Sequence, residues 1–144
     1  MSFALHPQLA ADTHFVATLR LSDLLLMKDA RYVWLILVPR RAGVRELHEL
    51  ADNDGAALWA EIAAISQLVA GWEGVSKVNV GALGNKVPQL HVHIIGRHIG
   101  DPAWPEPVWG HSSPFAYKPE DLAATLTGVR AALALDLLQE SAVP

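Results

Sequence analysis

Two histidines spaced two residues apart, His91 and His93, are the groups in this sequence best suited to covalent or metal chemistry. An imidazole has an unperturbed pKa of about 6.5, so near pH 7 it is largely neutral and serves as nucleophile, base or ligand. Both stand in Gln89-Leu90-His91-Val92-His93-Ile94-Ile95-Gly96-Arg97, which alternates as a strand with one buried face does. A strand over 89–97 turns Leu90, Val92 and Ile94 into a core. Gln89, His91 and His93 then form a row on the other face, neighbours about 7 Å apart. Such a row is a site or an ordinary solvated face, and the pattern alone does not separate the two. Arg97 falls on the histidine face by parity, as a supporting or subunit-contact residue.

The composition narrows the chemistry. The chain has 144 residues, 51% hydrophobic and 18% charged, which describes a folded chain of single-domain size (1–144). With no cysteine, disulfides, cysteine-ligated zinc, iron–sulfur clusters and thiol nucleophiles are excluded. Eleven Lys and Arg against fifteen Asp and Glu give a net charge of −4, the wrong balance for gripping a nucleic-acid polymer. A small nucleotide needs only a few local donors. The start, Met1 to Pro7, has neither the basic nor the apolar region of a secretory signal. The longest apolar run, Tyr32 to Val38, is far short of the ~20 residues that span a bilayer. A cytoplasmic protein without membrane contact is expected.

The elements that must position the histidines follow from periodicity. Residues 7–19 read equally as a short helix or as a strand over Phe15–Leu19. Leu24–Met27 and Tyr32–Val38, split by Lys28-Asp29-Ala30-Arg31, read as a hairpin closed by Pro39. Arg40, Arg41 and Arg45 then form a basic exit, which reads as a solvated surface ahead of a phosphate-steering cluster. Leu58, Ile62, Ile65 and Val69 keep the rhythm of a buried helix face, predicting a long helix over 54–72. Residues 75–80 read as a strand and 81–86 as a loop. Residues 100–119 hold five prolines with Trp104 and Trp109, a structured flap, and Pro119 opens a helix with a Leu122, Leu126, Val129 and Leu133 stripe. The order predicts an α+β domain on an antiparallel sheet of about five strands, with one long central helix and a C-terminal helix. Its motif-bearing part is 24–97, and the flap and last helix fill 98–144.

The segment 88–97 resembles the signature strand of the histidine triad (HIT) family of nucleotide hydrolases and transferases, His-φ-His-φ-His-φ-φ with φ apolar. Asn79, Gly81 and Gly84-Asn85-Lys86-Val87 resemble its Asn-x-Gly…Gly-Gln-Ser/Thr-Val approach, and Leu26-Met27-Lys28-Asp29 before Leu35–Arg40 its nucleoside hairpin. Here Gln89 stands for the first histidine, Asn85 for the loop glutamine and Lys86 for the hydroxyl residue. The resemblance implies that His91 is the nucleophile, attacking the α-phosphorus of a nucleotide with its other ring nitrogen held by backbone. It implies that His93, Gln89 and Asn85 hold phosphoryl oxygens, that Asn79 lies in the approach and that Asp29 reaches the ribose. Lys86 would meet a polyphosphate leaving group, and Trp104, His98 and Trp109 would lie on the leaving-group side. A homodimer is implied, acting on a dinucleoside polyphosphate in the manner of a diadenosine polyphosphate hydrolase, or on a nucleoside phosphoramidate. No cofactor is called for beyond a divalent metal that travels with the substrate. His48 reads as a helix-entry residue.

Two other readings stand beside this one. Gln89 in place of a histidine suits a nucleotide-binding module without catalysis. His91-x-His93 also resembles the metal pair of cupins, although those add an acid close behind and the first acid here is Asp101.

Overall fold

The computed structural model describes the backbone of residues 2–141 and the side chains of residues 2–135. In chain order the elements are α1 (Pro7–Asp12), β1 (Thr13–Thr18), β2 (Ser22–Met27), β3 (Val33–Pro39), a 3-10 turn (Leu47–Glu49), α2 (Asp52–Ala70), β4 (Lys77–Gly81), β5 (Val92–Arg97) and α3 (Pro119–Ser141). The five strands form one sheet in the order β1-β2-β3-β5-β4, every neighbouring pair antiparallel. The α+β architecture, the central hairpin, the long helix and the C-terminal helix are those expected from the sequence.

The ambiguous segment 7–19 contains both candidates in succession. His6 caps α1 by accepting the Gln8 amide on Nδ1, and Pro7 occupies the first turn, where its missing N–H costs nothing. At Thr13 the backbone becomes extended and enters β1, an edge strand with a bulge between Phe15 and Ala17.

The sheet is covered on both faces, which explains why β2, β3 and β5 read as apolar runs. On one face Leu24, Leu26, Leu35, Leu37, Val92 and Ile94 pack against Leu58, Ile65 and Val69 of α2 and Val129 of α3. Asp52 and Asp54 in the first turn of α2 suit the positive end of its dipole, and Gly71 caps its end. The predicted stripe of α3 packs there too, with Leu122, Leu126 and Leu133 partly buried, and Arg130 ties the helix to β1 through the Phe15 and Val16 carbonyls. On the opposite face Leu25, Trp34, Ile36 and Ile95 lie beneath Phe3, Leu5 and Leu9 of the N-terminal segment and Ala103 and Val108 of the flap. No helix among the described residues is long and apolar enough to cross a membrane.

Candidate active site

The histidines lie on the face covered by the N-terminal segment and the flap. In register, His93 is flanked by Ile36 of β3 and Gly81 of β4. β5 starts at Val92, three residues later than the strand predicted from Gln89. Extending the ladder would set Leu90 opposite Pro39, which has no N–H to offer and ends β3. The chain turns aside instead, and the Leu90 amide donates to the Val44 carbonyl at 3.0 Å. Nor is the polar row a solvated face. His91 and His93 are only 6% and 7% exposed.

Each imidazole is held by one nitrogen. His91 Nδ1 lies 2.7 Å from the Gln89 carbonyl oxygen. A carbonyl only accepts, so Nδ1 carries the proton and Nε2 of the neutral ring keeps its lone pair. His93 is held the opposite way, its Nδ1 accepting from the Trp34 indole N–H at 3.0 Å. Its neutral form therefore carries its proton on Nε2, where it is a donor. Burial, with a smaller contribution from His91, pushes the His93 pKa down to about 3. The two rings sit 4.9 Å apart edge to face, and Trp109 closes on His93 at 5.5 Å. A side chain at Gly81 would strike the Trp109 ring, its Cβ only 2.9 Å from Cη2. The glycine is what admits the indole.

The flap that delivers Trp109 is fastened by one buried cation. Arg97 is 1% exposed and donates through Nε and Nη2 to Asp101 at 2.7 and 2.9 Å. It also donates to Asn79 Oδ1 and to the Glu106 carbonyl, each at 2.8 Å, and its guanidinium lies 5.6 Å from the centre of the Trp104 ring. Burial pushes the Asp101 carboxyl up, but hydrogen bonds from Arg97, His98 and Ala103 and the Arg97 charge outweigh it, so its pKa falls below the ordinary value. Arg97 and Asn79 thus reach the histidine face but face each other and the flap.

Other expected contacts lie elsewhere. The Asp29 carboxylate, 2% exposed, accepts from Arg31 Nε and Nη2 at 3.0 and 2.9 Å and from the Arg31 amide at 3.1 Å. It anchors the hairpin tip toward the flap, where the Ala30 amide donates to the Phe115 carbonyl. The Gln89 amide is turned to the N-terminal segment. Asn85 and Lys86 are exposed on a bend of the loop before β5, which Gly84 enters at φ 70°.

A cavity of about 280 Å³ opens beside His91 and Leu90, walled by Ala82, Leu83 and Gly84 and, opposite, by residues 45–48. Sequence reading places Arg45 in a basic surface exit and His48 at a helix entry, not beside His91. The 3-10 turn that brings them there has no hydrophobic period, and only its Glu46 amide to Glu49 carboxylate bond marks it. Among the described residues no three His, Cys, Asp or Glu side chains are grouped to hold a metal ion.

A family model for the HIT domain matches residues 8–100. The chain belongs to the HIT domain family. A histidine triad protein of Marinobacter aquaeolei is 46% identical, with 94% of this chain and 98% of that one covered and a TM-score of 0.91. One from Bradyrhizobium japonicum is 42% identical over 92% and 98%, with a TM-score of 0.89. One from Sinorhizobium meliloti is 40% identical over 90% and 96%, with a TM-score of 0.88. The NitFhit protein of Caenorhabditis elegans shares the fold at 19% identity and a TM-score of 0.61. No curated protein matches the chain.

Proposed function

We propose that this HIT protein hydrolyses, or transfers the nucleotidyl group of, a nucleotide through a covalent histidine intermediate. His91 Nε2 attacks the α-phosphorus, the P–O or P–N bond to the leaving group breaks, and a nucleotidyl-histidine forms. Water then attacks phosphorus, displaces His91 and releases a nucleoside monophosphate. The observation that carries this reading is the bond from His91 Nδ1 to the Gln89 carbonyl, because it leaves the lone pair on the nitrogen that must attack. The neutral His93 supplies an Nε2 hydrogen for a phosphoryl oxygen in a site from which protein has displaced water, where one donor is worth most.

The substrate is a dinucleoside polyphosphate, ahead of a nucleoside phosphoramidate. Arg45 and Lys86 favour the polyanion. Among the described residues neither makes an ion pair, whereas Arg31, Arg40, Arg41 and Arg97 all do. Asn85 faces the same polyphosphate from the approach loop. The Asp29 carboxylate is already bound by Arg31, so no ribose contact is assigned to it. The reading includes a cytoplasmic homodimer, two copies meeting along β4. That strand is a sheet edge, and Trp59 (69% exposed), Leu47 (52%) and Val80 (48%) lie beside it in an apolar groove.

Incubation with diadenosine polyphosphate and, separately, adenosine phosphoramidate tests the proposal. Released AMP is followed, and quenched samples are weighed intact for an acid-labile nucleotidyl adduct. Turnover and adduct are expected in the wild type, and both are expected to vanish in His91→Ala. Nucleotide binding without adduct or turnover refutes the catalytic reading in favour of a binding module.

A further inference from the structure

The residue at the first triad position makes two hydrogen bonds that no phosphate shares. Gln89 Oε1 accepts from the His6 amide at 2.9 Å, and Gln89 Nε2 donates to the Ala4 carbonyl at 2.9 Å. These two backbone groups flank Leu5 and face one side of an extended segment, as they would toward a neighbouring strand. A primary amide matches them because its acceptor and donor lie side by side on one planar group. An imidazole cannot, because its two nitrogens point apart across the ring. The same residue's carbonyl holds His91 Nδ1 at 2.7 Å. Phe3 and Leu5, on either side of the clamped Ala4, pack on the layer that contains Trp34 and Ile36.

We infer that Gln89 is a positioning residue whose side chain clamps the N-terminal segment 4–6 across the strand and whose carbonyl thereby holds His91 in the Nδ1–H tautomer. The clamp fixes the Gln89 peptide from its side-chain end. Without it the residue lies in a bend outside the β5 ladder, and its carbonyl is free to turn away from the imidazole. The N-terminal segment is therefore part of the catalytic framework. Replacing Gln89 by the family's histidine is expected to weaken the site rather than improve it. It removes the clamp.

This inference rests on the proposed role of His91, but its first readout does not need turnover. In protein labelled with ¹⁵N-histidine, His91 is expected to show the Nδ1-protonated pattern at pH 7.5. Gln89→Met keeps the volume and loses both bonds. His6→Pro deletes, of these two bonds, only the one that Oε1 accepts, along with the α1 cap, and the His6 φ of −57° already suits proline. Both variants, and Gln89→His, are expected to move His91 toward a mixture of tautomers. His6→Ala loses the α1 cap but keeps the amide hydrogen, and is expected to keep the wild-type spectrum. If the substrates above turn over, Gln89→Met and His6→Pro each lower kcat by roughly tenfold to a hundredfold, the scale of a misplaced reacting group, with KM little changed. The double variant is then no worse than the worse single one. An unchanged His91 spectrum in both single variants overturns the inference even if turnover is seen. Coupled spectra without any turnover sustain it and overturn the proposed activity instead. Multiplying kinetic losses, or a rise in KM confined to Gln89→Met, place Gln89 on the substrate and overturn it as well.

Discussion

Removing the Asp101 carboxylate should be among the most damaging single changes to this protein. The pair it forms with Arg97 is 1% and 0% exposed at the two side chains, so neither charge is screened by water. Asp101 accepts from Arg97 at 2.7 and 2.9 Å and from the Ala103 and His98 amides at 3.1 and 3.3 Å. Asp101→Ala leaves a buried guanidinium with only the Asn79 and Glu106 oxygens as partners, and orphans two amides at the root of the flap. Losing one member of a buried pair costs about 3–5 kcal/mol, a large part of a typical domain stability of about 5–15 kcal/mol. At about 2–4 °C per kcal/mol for a chain of this size, the midpoint falls by roughly 6–20 °C. Arg41→Ala is the internal control. It breaks the Arg41–Asp54 pair, whose arginine is 46% exposed and screened by water, and should leave the midpoint nearly unmoved. Urea unfolding of wild type and both variants at pH 7 measures the difference. An Asp101→Ala loss no larger than that of Arg41→Ala refutes the argument, because it means that water reaches the Arg97 pair.

Four further outcomes follow from the same geometry. His93 titrates at about 3 folded and about 6.5 unfolded, so on acidification the unfolded chain takes the proton first. Its contribution is whole above pH 6.5 and is lost below it, on the order of 2 kcal/mol by pH 5; urea midpoints that fall equally in wild type and His93→Gln between pH 7 and 5 contradict this. Trp34→Phe orphans the buried His93 Nδ1 and should cost about 1–3 kcal/mol in the same assay, and a loss of a few tenths would show that water replaces the indole. Sedimentation of the wild type should report a dimer and that of Trp59→Glu a monomer, and a monomeric wild type removes the β4 interface. With the polyphosphate substrate, added salt should raise KM and leave kcat nearly constant; a salt-independent KM removes Arg45 and Lys86 from substrate capture.

The fold was legible where one period ran uninterrupted. Leu58, Ile62, Ile65 and Val69 announced α2, and the Lys28–Arg31 break between two apolar runs announced the hairpin. The strand start at Gln89 was misplaced because alternation continues through 89–91, while the ladder depends on β3, which Pro39 ends. The histidines were legible as a pair. Their burial was not, since it comes from residues far away in sequence, Trp34 and Trp109, and from a flap without periodicity. Asp29 and Arg97 show the other limit. A charged residue in a motif says that something opposite must be met, and here each meets a counter-ion of its own chain within four residues. Arg45 and His48 were legible only as a surface cation and a helix-entry residue for the converse reason, because only the fold brings their turn to the mouth beside His91.

The same burial explains how charge is divided in the site. An imidazole that stays neutral well below pH 7 places no positive charge beside the second ring 4.9 Å away, so His93 offers a donor but not a cation. In the proposed reaction the negative charge of a phosphate is then met at its centre by N–H dipoles, and full positive charge sits at the rim. Arg97, the cation buried nearest the histidine row, is neutralised by Asp101, whereas Arg45 and Lys86, which make no ion pair among the described residues, are both exposed. A rim charge draws in an anion and holds its far end but adds little at the reacting atom. That is why salt should act on KM, and why changes at Gln89 or Trp34, which alter how a neutral imidazole is held, should act on kcat.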